Sequence, residues 1–188
     1  LKGQRVQTLD MTYGFYPVWA ALYDADLTEV PVLDDLSVDL EALKNDDAAV
    51  VLANPNAPTG RALPRDEIVA LVESNRDRLV VIDEAYFGFG AETAVPLVAG
   101  HDNLVVTRSL SKSHGLAGLR VGYAIAQAEL IEGLNRVKDS FNSYPLDAVA
   151  QSAATAAIED RQWLEAASQS VRDVREVMST GLEAMGFE

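Results

Sequence analysis

The sequence lacks cysteine and long hydrophobic segments, and each absence excludes a class of protein. Without cysteine the chain can form neither a disulfide nor a thiolate metal site, which fits a cytoplasmic protein. No apolar run approaches the roughly 18–20 residues that a membrane-spanning helix needs. We therefore expect a cytoplasmic protein that has no membrane partner.

Basic residues are also scarce, because 15 lysines and arginines stand against 29 aspartates and glutamates, for a formal net charge of −14. A protein that binds a polyanion needs a local basic patch, and the sequence offers none, so we expect no nucleic-acid partner. Two histidines, His101 and His114, are too few for a typical metal site, and we expect no bound metal. We interpret His114 as a structural loop residue.

Short apolar segments alternate with helical patterns along the chain. The segments that predict strands are residues 6–9, 27–32, 48–52, 79–82, 104–106 and 121–126. Continuous apolar runs such as 48–52 are typical of strands that are buried on both faces of a parallel sheet. The run at 121–126 follows the preceding strand too closely for a helical crossover, so it should run antiparallel. The pattern predicts a three-layer α/β fold with a mostly parallel sheet and one antiparallel strand.

Helical patterns occupy residues 18–23, 39–44, 64–74, 148–158 and 163–185. We expect the first of these helices to turn Val18 and Leu22 inward. We place the main domain at residues 1–160 and interpret residues 161–188 as a helix that leads out of it. The sequence begins at Leu1 without methionine and stops just after this helical pattern, so we expect it to be a piece of a longer protein.

Polar residues follow three of the predicted strands directly, in the loops 54–60, 83–86 and 109–112. Ligands collect outside the carboxyl ends of the strands in open α/β sheets, so these loops should meet at one edge. Asp83 would project from a buried strand into a medium of low dielectric constant. A carboxylate there needs a cationic partner, unless it caps a following helix.

The third loop has the residues that would anchor a phosphorylated aldehyde. Lys112 supplies an amine that forms an imine with an aldehyde. Ser109, Ser111 and Arg120 supply hydroxyl and guanidinium donors for a phosphate. A surface loop rich in serine and lysine is the alternative interpretation of this segment taken alone.

Three segments together resemble the fold-type-I pyridoxal-phosphate aminotransferases. One is Ser109-Leu110-Ser111-Lys112, which continues with Gly118, Arg120 and Gly122 in the family's spacing. The others are Val81-Ile82-Asp83-Glu84-Ala85-Tyr86 and Asn54-Pro55-Asn56-Ala57-Pro58-Thr59-Gly60. The resemblance implies the large domain of an aspartate aminotransferase-like fold, with pyridoxal 5′-phosphate as the cofactor.

The same resemblance implies a role for each matching residue. Lys112 would bind the cofactor and transfer protons, while Asp83 would pair with the pyridinium nitrogen. Tyr86 and Asn56 would bond the ring 3-oxygen, with Asn56 also near the substrate. The phosphate ligands would be Ser109, Ser111 and Arg120. Tyr13, in the aromatic turn Thr12-Tyr13-Gly14-Phe15-Tyr16, would stack on the cofactor ring.

A sequence similarity that is less specific than the cofactor motifs indicates the substrate. Residues 12–18 and 141–151 resemble the histidinol-phosphate aminotransferases, which implies a transamination between L-histidinol phosphate and 2-oxoglutarate in histidine biosynthesis. Asn142 and Tyr144 would line the substrate pocket, although a turn leading into a helix is an alternative. The family's amino-terminal segment and most of its small carboxy-terminal domain have no counterpart here, and the complete protein would be a homodimer.

Two other functions stay open from sequence. Another reaction on the same cofactor, catalysed by an aromatic aminotransferase or a phospho-amino-acid decarboxylase, would use the same Lys112, Asp83 and Arg120. A fragment or regulatory module that has lost catalysis would also keep the fold.

Overall fold

A six-stranded sheet organises the part of the chain that the computed structural model describes, residues 3–187. The strands are β1 (Arg5–Leu9), β2 (Asp26–Val30), β3 (Ala49–Ala53), β4 (Val80–Asp83), β5 (Leu104–Ser109) and β6 (Gly122–Ala126). Their order across the sheet is β2-β1-β3-β4-β5-β6. The first five strands are parallel, and β6 pairs antiparallel with β5. The predicted mostly parallel sheet with one antiparallel strand is confirmed.

Helices cover both faces of this sheet. They are α1 (Tyr16–Leu22), α2 (Leu40–Lys44), α3 (Arg65–Ser74), α4 (Ala128–Phe141), α5 (Ala148–Glu159) and α6 (Arg161–Ala184). Short 3-10 turns occupy Val95–Gly100 and Ala117–Leu119. None of the described helices combines the length and the apolar character needed to cross a membrane.

The main core lies between one face of the sheet and helices α2 and α3. Strand residues that alternate along β3, β4 and β5 are buried there, because successive side chains of a strand point to opposite faces. Both α2 and α3 contribute fully buried leucines, Leu43 and Leu71. The buried strand residues of this core are Leu9, Val50, Leu52, Val80, Ile82, Leu104 and Val106.

The inward face of α1 differs from the prediction. Val18 and Leu22 are exposed, at 50% and 70%, whereas Tyr16 and Ala20 are buried. Residues four apart share a helix face, and a step of two residues turns the chain by about 200°. Since the Tyr16 ring enters the interior at the first residue of the helix, Val18 and Leu22 necessarily lie on the opposite side.

Helix α4 was not predicted, and it changes the context of the segment that follows it. Asn142 is the carboxy-terminal cap of α4, and its backbone N–H donates to Lys138 O. Asp147 caps the amino terminus of α5, where its side chain accepts from Ala150 N. Residues 142–147 therefore connect two helices.

Helix α6 packs through its middle on the segment after β4. Arg172 and Arg175 donate to the carbonyl oxygens of Gly88 and Phe89. Gly88 has φ +90°, and a Cβ on it would lie 2.8 Å from Ser168 Oγ. Only glycine permits both this backbone conformation and this close approach.

A buried guanidinium ties α2 and α3 together, and its removal should be costly. Arg78 is 3% exposed and donates to Leu43 O, Asp46 O, Leu71 O and Ser74 Oγ. Arg78→Met would leave the carbonyls of Leu43 and Leu71, which are buried, and that of Asp46, which is partly buried, without this donor. We therefore expect the free energy of unfolding to fall by about 3 kcal/mol. Urea unfolding measures the loss.

Arg76→Met is the matched control for this substitution. The Arg76 side chain is 64% exposed and pairs with Glu73 on the surface, where such pairs contribute little. We expect its unfolding free energy to stay within about 0.5 kcal/mol of the parent value. Equal losses in the two variants would show that the carbonyl contacts of Arg78 do not stabilise the fold.

Candidate active site

The carboxyl ends of β3, β4 and β5 border a cleft of about 350 Å³. This volume lies within the range of small-molecule sites, roughly 300–1,000 Å³. Seven residues predicted from sequence line the cleft: Tyr13, Asp83, Tyr86, Ser109, Ser111, Lys112 and Arg120. The expectation that separate loops converge at one edge of the sheet is confirmed.

The sheet register explains this convergence. Asp83, the last residue of β4, pairs with Ala53 at the end of β3 and with Thr107 near the end of β5. The loops that leave these strands therefore start side by side. Backbone bonds continue past the ladder, because Asn54 N donates to Asp83 O and Glu84 N donates to Thr107 O, at 2.9 and 2.8 Å.

Asp83 is held by one donor on each carboxylate oxygen. Tyr16 Oη donates to Oδ2 at 2.9 Å, and Ala85 N donates to Oδ1 at 3.0 Å. These bonds fix the plane of the carboxylate at the edge of the cleft. Carboxylate oxygens accept more than one hydrogen bond, so the group can also pair with a cationic ligand.

The lysine loop is ordered by its own polar groups. Ser109 Oγ accepts from Ser111 N at 3.1 Å. The ammonium nitrogen of Lys112 lies 5.5 Å from the centroid of the Tyr86 ring, which is within the range of a cation–π contact. Lys112 and Tyr86, from two different loops, are thus neighbours in the cleft.

Arg120 has an unusual backbone conformation. Its φ is 55° and its ψ is 37°, which is the left-handed region that side chains other than glycine rarely adopt. Its Nη1 donates to Ala117 O at 3.2 Å, and Arg120 is one of the residues that line the cleft. Strain of this kind concentrates at functional sites.

Asn56 lies beside the cleft but uses its amide elsewhere. It is 3% exposed, and its Nδ2 donates to Met11 O at 2.8 Å and to Thr59 Oγ1 at 3.0 Å. Its Oδ1 accepts from Thr12 Oγ1 at 2.6 Å. Both amide hydrogens are engaged, so a bond from Asn56 to a ligand would have to replace one of these contacts.

Tyr13 borders the cleft as part of an aromatic cluster. Its ring centroid lies 5.5 Å from that of Tyr16 and 6.0 Å from those of Phe15 and Trp19. The ring is 47% exposed, which leaves a surface free to stack on a ligand. Aromatic pairs of this type contribute about 0.5–1.5 kcal/mol beyond area burial.

Asn142 and Tyr144 are not brought to the cleft. Both lie in the connection between α4 and α5, where Asn142 Oδ1 accepts from Tyr144 N at 3.2 Å. The Tyr144 side chain is 91% exposed, and neither residue is among those that line the cleft. Their predicted contact with substrate has no support in this arrangement.

A buried ion pair at the wall of the cleft, between Arg108 and Glu84, was not predicted from the sequence. Arg108 lines the cleft and donates to Glu84 Oε2 through Nε at 2.9 Å. Glu84 is 1% exposed and also accepts from Thr93 Oγ1 and Ala94 N. The guanidinium lies 4.2 Å from the centroid of the Phe87 ring. This network fixes the segment after β4, which contains Tyr86, against β5.

His114 packs between aromatic rings, as a structural residue would. Its ring centroid is 5.7 Å from that of Phe87 and 6.5 Å from that of Trp163 on α6. Nδ1 lies 3.0 Å from Ser113 Oγ, and the side chain is 5% exposed. Among residues 3–187 no group of three or more histidine, cysteine, aspartate or glutamate side chains is placed to hold a metal ion.

The burial of His114 predicts a pH-dependent stability. Burial lowers the pKa of His114, and repulsion from the Arg108 guanidinium lowers it further. At pH values between the folded pKa of His114 and its unfolded pKa of about 6.5, the unfolded chain binds a proton at His114 that the folded chain does not bind. The contribution of His114 is therefore present above this unfolded pKa and is lost as the pH falls towards the folded pKa.

We expect His114→Phe, which keeps an aromatic ring in the stack, to reduce this loss. The measurement is the free energy of unfolding in urea at several pH values between about 7.5 and 5.5. The parent chain should lose more stability than the variant over this interval. Parallel pH profiles would mean that His114 is protonated equally in both states.

Comparison with known proteins extends over the whole chain. The family model for aminotransferase class I and II matches residues 1–188. Histidinol-phosphate aminotransferase 1 of Bradyrhizobium diazoefficiens is 53% identical over 179 residues, which are 95% of this chain and 51% of that protein. The chain thus spans about half the length of the curated relatives it matches.

Solved structures of aminotransferases also match this chain. The histidinol-phosphate aminotransferase of Sinorhizobium meliloti in complex with pyridoxal-5′-phosphate matches with a TM-score of 0.83 and 28% identity, over 93% of this chain and 49% of that one. A double mutant of the Thermus thermophilus aspartate aminotransferase shares the fold, with a TM-score of 0.87 and 24% identity, over 100% and 53% of the two chains. The chain belongs to the aminotransferase class I and II family.

Proposed function

We propose that the complete protein is a pyridoxal-phosphate aminotransferase that transfers the amino group of L-histidinol phosphate to 2-oxoglutarate. The products would be imidazole-acetol phosphate and L-glutamate, in histidine biosynthesis. The observation that carries the proposal is the presence of Lys112, Asp83 and Arg120 around one cleft. The names of the curated relatives support the choice of substrate.

The residues of the cleft fit pyridoxal phosphate. Lys112 offers an amine, Asp83 an oriented carboxylate and Tyr13 an aromatic face. Ser109, Ser111 and Arg120 offer hydroxyl and guanidinium donors to a phosphate. When bound, the cofactor supplies an aldehyde that captures amines and a protonated ring that withdraws electrons.

Each side chain then has a defined task. Lys112 Nζ would hold the cofactor through its aldehyde, and the free amine would serve as the base that takes a proton from the substrate Cα. Asp83 would favour a protonated ring nitrogen through its negative charge. Tyr86 would donate its hydroxyl hydrogen to the ring 3-oxygen, and Tyr13 would hold the ring by stacking on it. The guanidinium of Arg120 would anchor the phosphate, which would keep the reacting atoms in place.

Three residues complete the proposed site with less support from geometry. Asn56 would donate to the ring 3-oxygen after exchange of one of its present bonds. Asn142 and Tyr144 would reach the substrate only if the connection between α4 and α5 closes over the cleft.

We also propose a division of the chain near residue 160. Asp160 is at once the last cap of α5 and the first cap of α6, where it accepts from Trp163 N. Residues 1–160 would form the cofactor-binding domain and 161–188 a helix leading into the smaller one. A cytoplasmic homodimer remains our prediction for the complete protein.

The test is an assay of the complete gene product with a panel of substrates. We expect glutamate formation from 2-oxoglutarate with L-histidinol phosphate, at a higher kcat/KM than with aromatic amino acids. Preference for an aromatic amino acid would favour an aromatic aminotransferase. Release of carbon dioxide from a phospho-amino acid would favour a decarboxylase, and loss of all turnover would favour an inert protein.

A further inference from the structure

We propose that Tyr16 is a positioning residue, which orients the Asp83 carboxylate towards the ring nitrogen of the cofactor. The inference rests on the proposed function, since it assigns Tyr16 a role only if Asp83 meets a pyridine nitrogen. Tyr16 is not among the residues that line the cleft, so it would act through Asp83.

The geometry around Asp83 supports this role. Tyr16 Oη lies 2.9 Å from Oδ2, and the only other hydrogen bond to this carboxylate within residues 3–187 comes from Ala85 N to Oδ1 at 3.0 Å. The backbone donor alone would let the carboxylate rotate about its side-chain bonds. A second donor on the other oxygen fixes its plane, which sets the direction of the remaining lone pairs.

Tyr16 is suited to remain a donor at any working pH. The side chain is 5% exposed, and burial, followed by the nearby Asp83 carboxylate, raises the pKa of the Tyr16 phenol. The hydroxyl therefore keeps its proton throughout the neutral range. A permanent donor on Oδ2 leaves the Asp83 carboxylate acting only as an acceptor in this contact, in the orientation that Tyr16 and Ala85 N set.

The same turn joins this hydroxyl to the residue proposed to stack on the ring. Tyr16 N donates to Tyr13 O at 3.2 Å, and the two rings meet edge to face with centroids 5.5 Å apart. Tyr16 also begins α1, so its ring is anchored in the interior between helix and sheet. The turn that contains Tyr13 and Tyr16 would thus position a bound ring in two ways. Tyr16 would act on the edge of the ring through Asp83, and Tyr13 would stack on its face.

The experiment uses Tyr16→Phe in the complete protein, because this change keeps the buried ring and removes only the hydroxyl. Tyr23→Phe is the matched control, since Tyr23 caps the other end of α1 and is 48% exposed. Three quantities are measured for each: the Kd of pyridoxal phosphate, the pH midpoint of the bound cofactor's absorbance change, and the melting temperature without cofactor.

We expect Tyr16→Phe to weaken cofactor binding about tenfold, as for the loss of one hydrogen bond to a charged group. With Asp83 less firmly oriented, the ring nitrogen of the cofactor should hold its proton less strongly. Loss of this positive charge near the Lys112 nitrogen should raise the pH midpoint of the absorbance change by about one unit. Tyr23→Phe should leave Kd and midpoint at the parent values.

A second variant separates positioning from general loosening of the fold. If Tyr16 acts through Asp83, then adding Tyr16→Phe to Asp83→Asn should move the pH midpoint no further, because contacting residues are not additive. Additive shifts, or a changed melting temperature with an unchanged Kd and midpoint, would overturn the inference. A parent protein that binds no pyridoxal phosphate would instead refute the proposed function itself.

Discussion

Lys112→Ala in the complete protein is expected to abolish the absorbance of lysine-bound cofactor and to reduce turnover by about four orders of magnitude. The loss combines the covalent anchor with a general acid–base group, and the latter alone contributes roughly 10²- to 10⁴-fold. Lys112 borders the same cleft as Asp83 and Arg120. The measurements are the absorbance spectrum after addition of pyridoxal phosphate and the transamination rate.

Lys138→Ala provides the comparison. Lys138 lies on α4, and its side chain is 44% exposed and near Asp139 on the surface. Its replacement should change neither the spectrum nor the rate. Substantial transamination by Lys112→Ala would refute the assignment of the lysine.

Asp83→Asn should be the second most damaging change. An amide cannot compensate the charge of a protonated ring nitrogen, and breaking a buried charge pair typically costs 3–5 kcal/mol. We therefore expect kcat to fall by about 10²- to 10³-fold, with lysine attachment of the cofactor retained. Steady-state kinetics and the cofactor spectrum, recorded on the same preparation, separate the two effects.

The exposed carboxylate of Asp102 offers the control. It lies in the turn before β5, away from the residues that line the cleft, and Asp102→Asn should leave kcat within about twofold of the parent. If Asp83→Asn is equally harmless, the carboxylate of Asp83 does not act on the cofactor ring.

The edge of the sheet that bears the cleft could be predicted from the sequence. Continuous apolar runs mark β3, β4 and β5, and a parallel sheet places the polar residues after each run at one edge. The short connection before β6 likewise sufficed to predict its antiparallel direction. These inferences succeed because they depend on local pattern and on the geometry of the chain.

Contacts between distant segments could not be predicted in this way. Nothing local to Tyr16 indicates that its hydroxyl meets Asp83, which lies 67 residues further along the chain. The pairing of Glu84 with Arg108 spans 24 residues and depends on the register of β4 with β5. The contacts of Asn56 also could not be predicted from its motif. The motif indicates a donor to a ligand, whereas the amide of Asn56 donates to Met11 O and Thr59 Oγ1 and so connects two loops.

Helix α4 was predictable but missed. Leu130, Ile131, Leu134, Val137 and Phe141 recur at helical spacing, which indicates an amphipathic helix. Recognising it would have placed Asn142 at the end of a helix. The register of α1, in contrast, depended on burial of the Tyr16 ring, which periodicity alone does not reveal.

The proposed function depends on a single lysine, Lys112, that binds a cofactor in the cleft. The most direct measurement adds pyridoxal phosphate to the complete protein, reduces it with borohydride and locates the pyridoxyl group by peptide mass spectrometry. We expect the label on Lys112, within the peptide around Ser109–Arg120. A label on Lys44, on Lys138 or on any other lysine, with Lys112 unmodified, would contradict it.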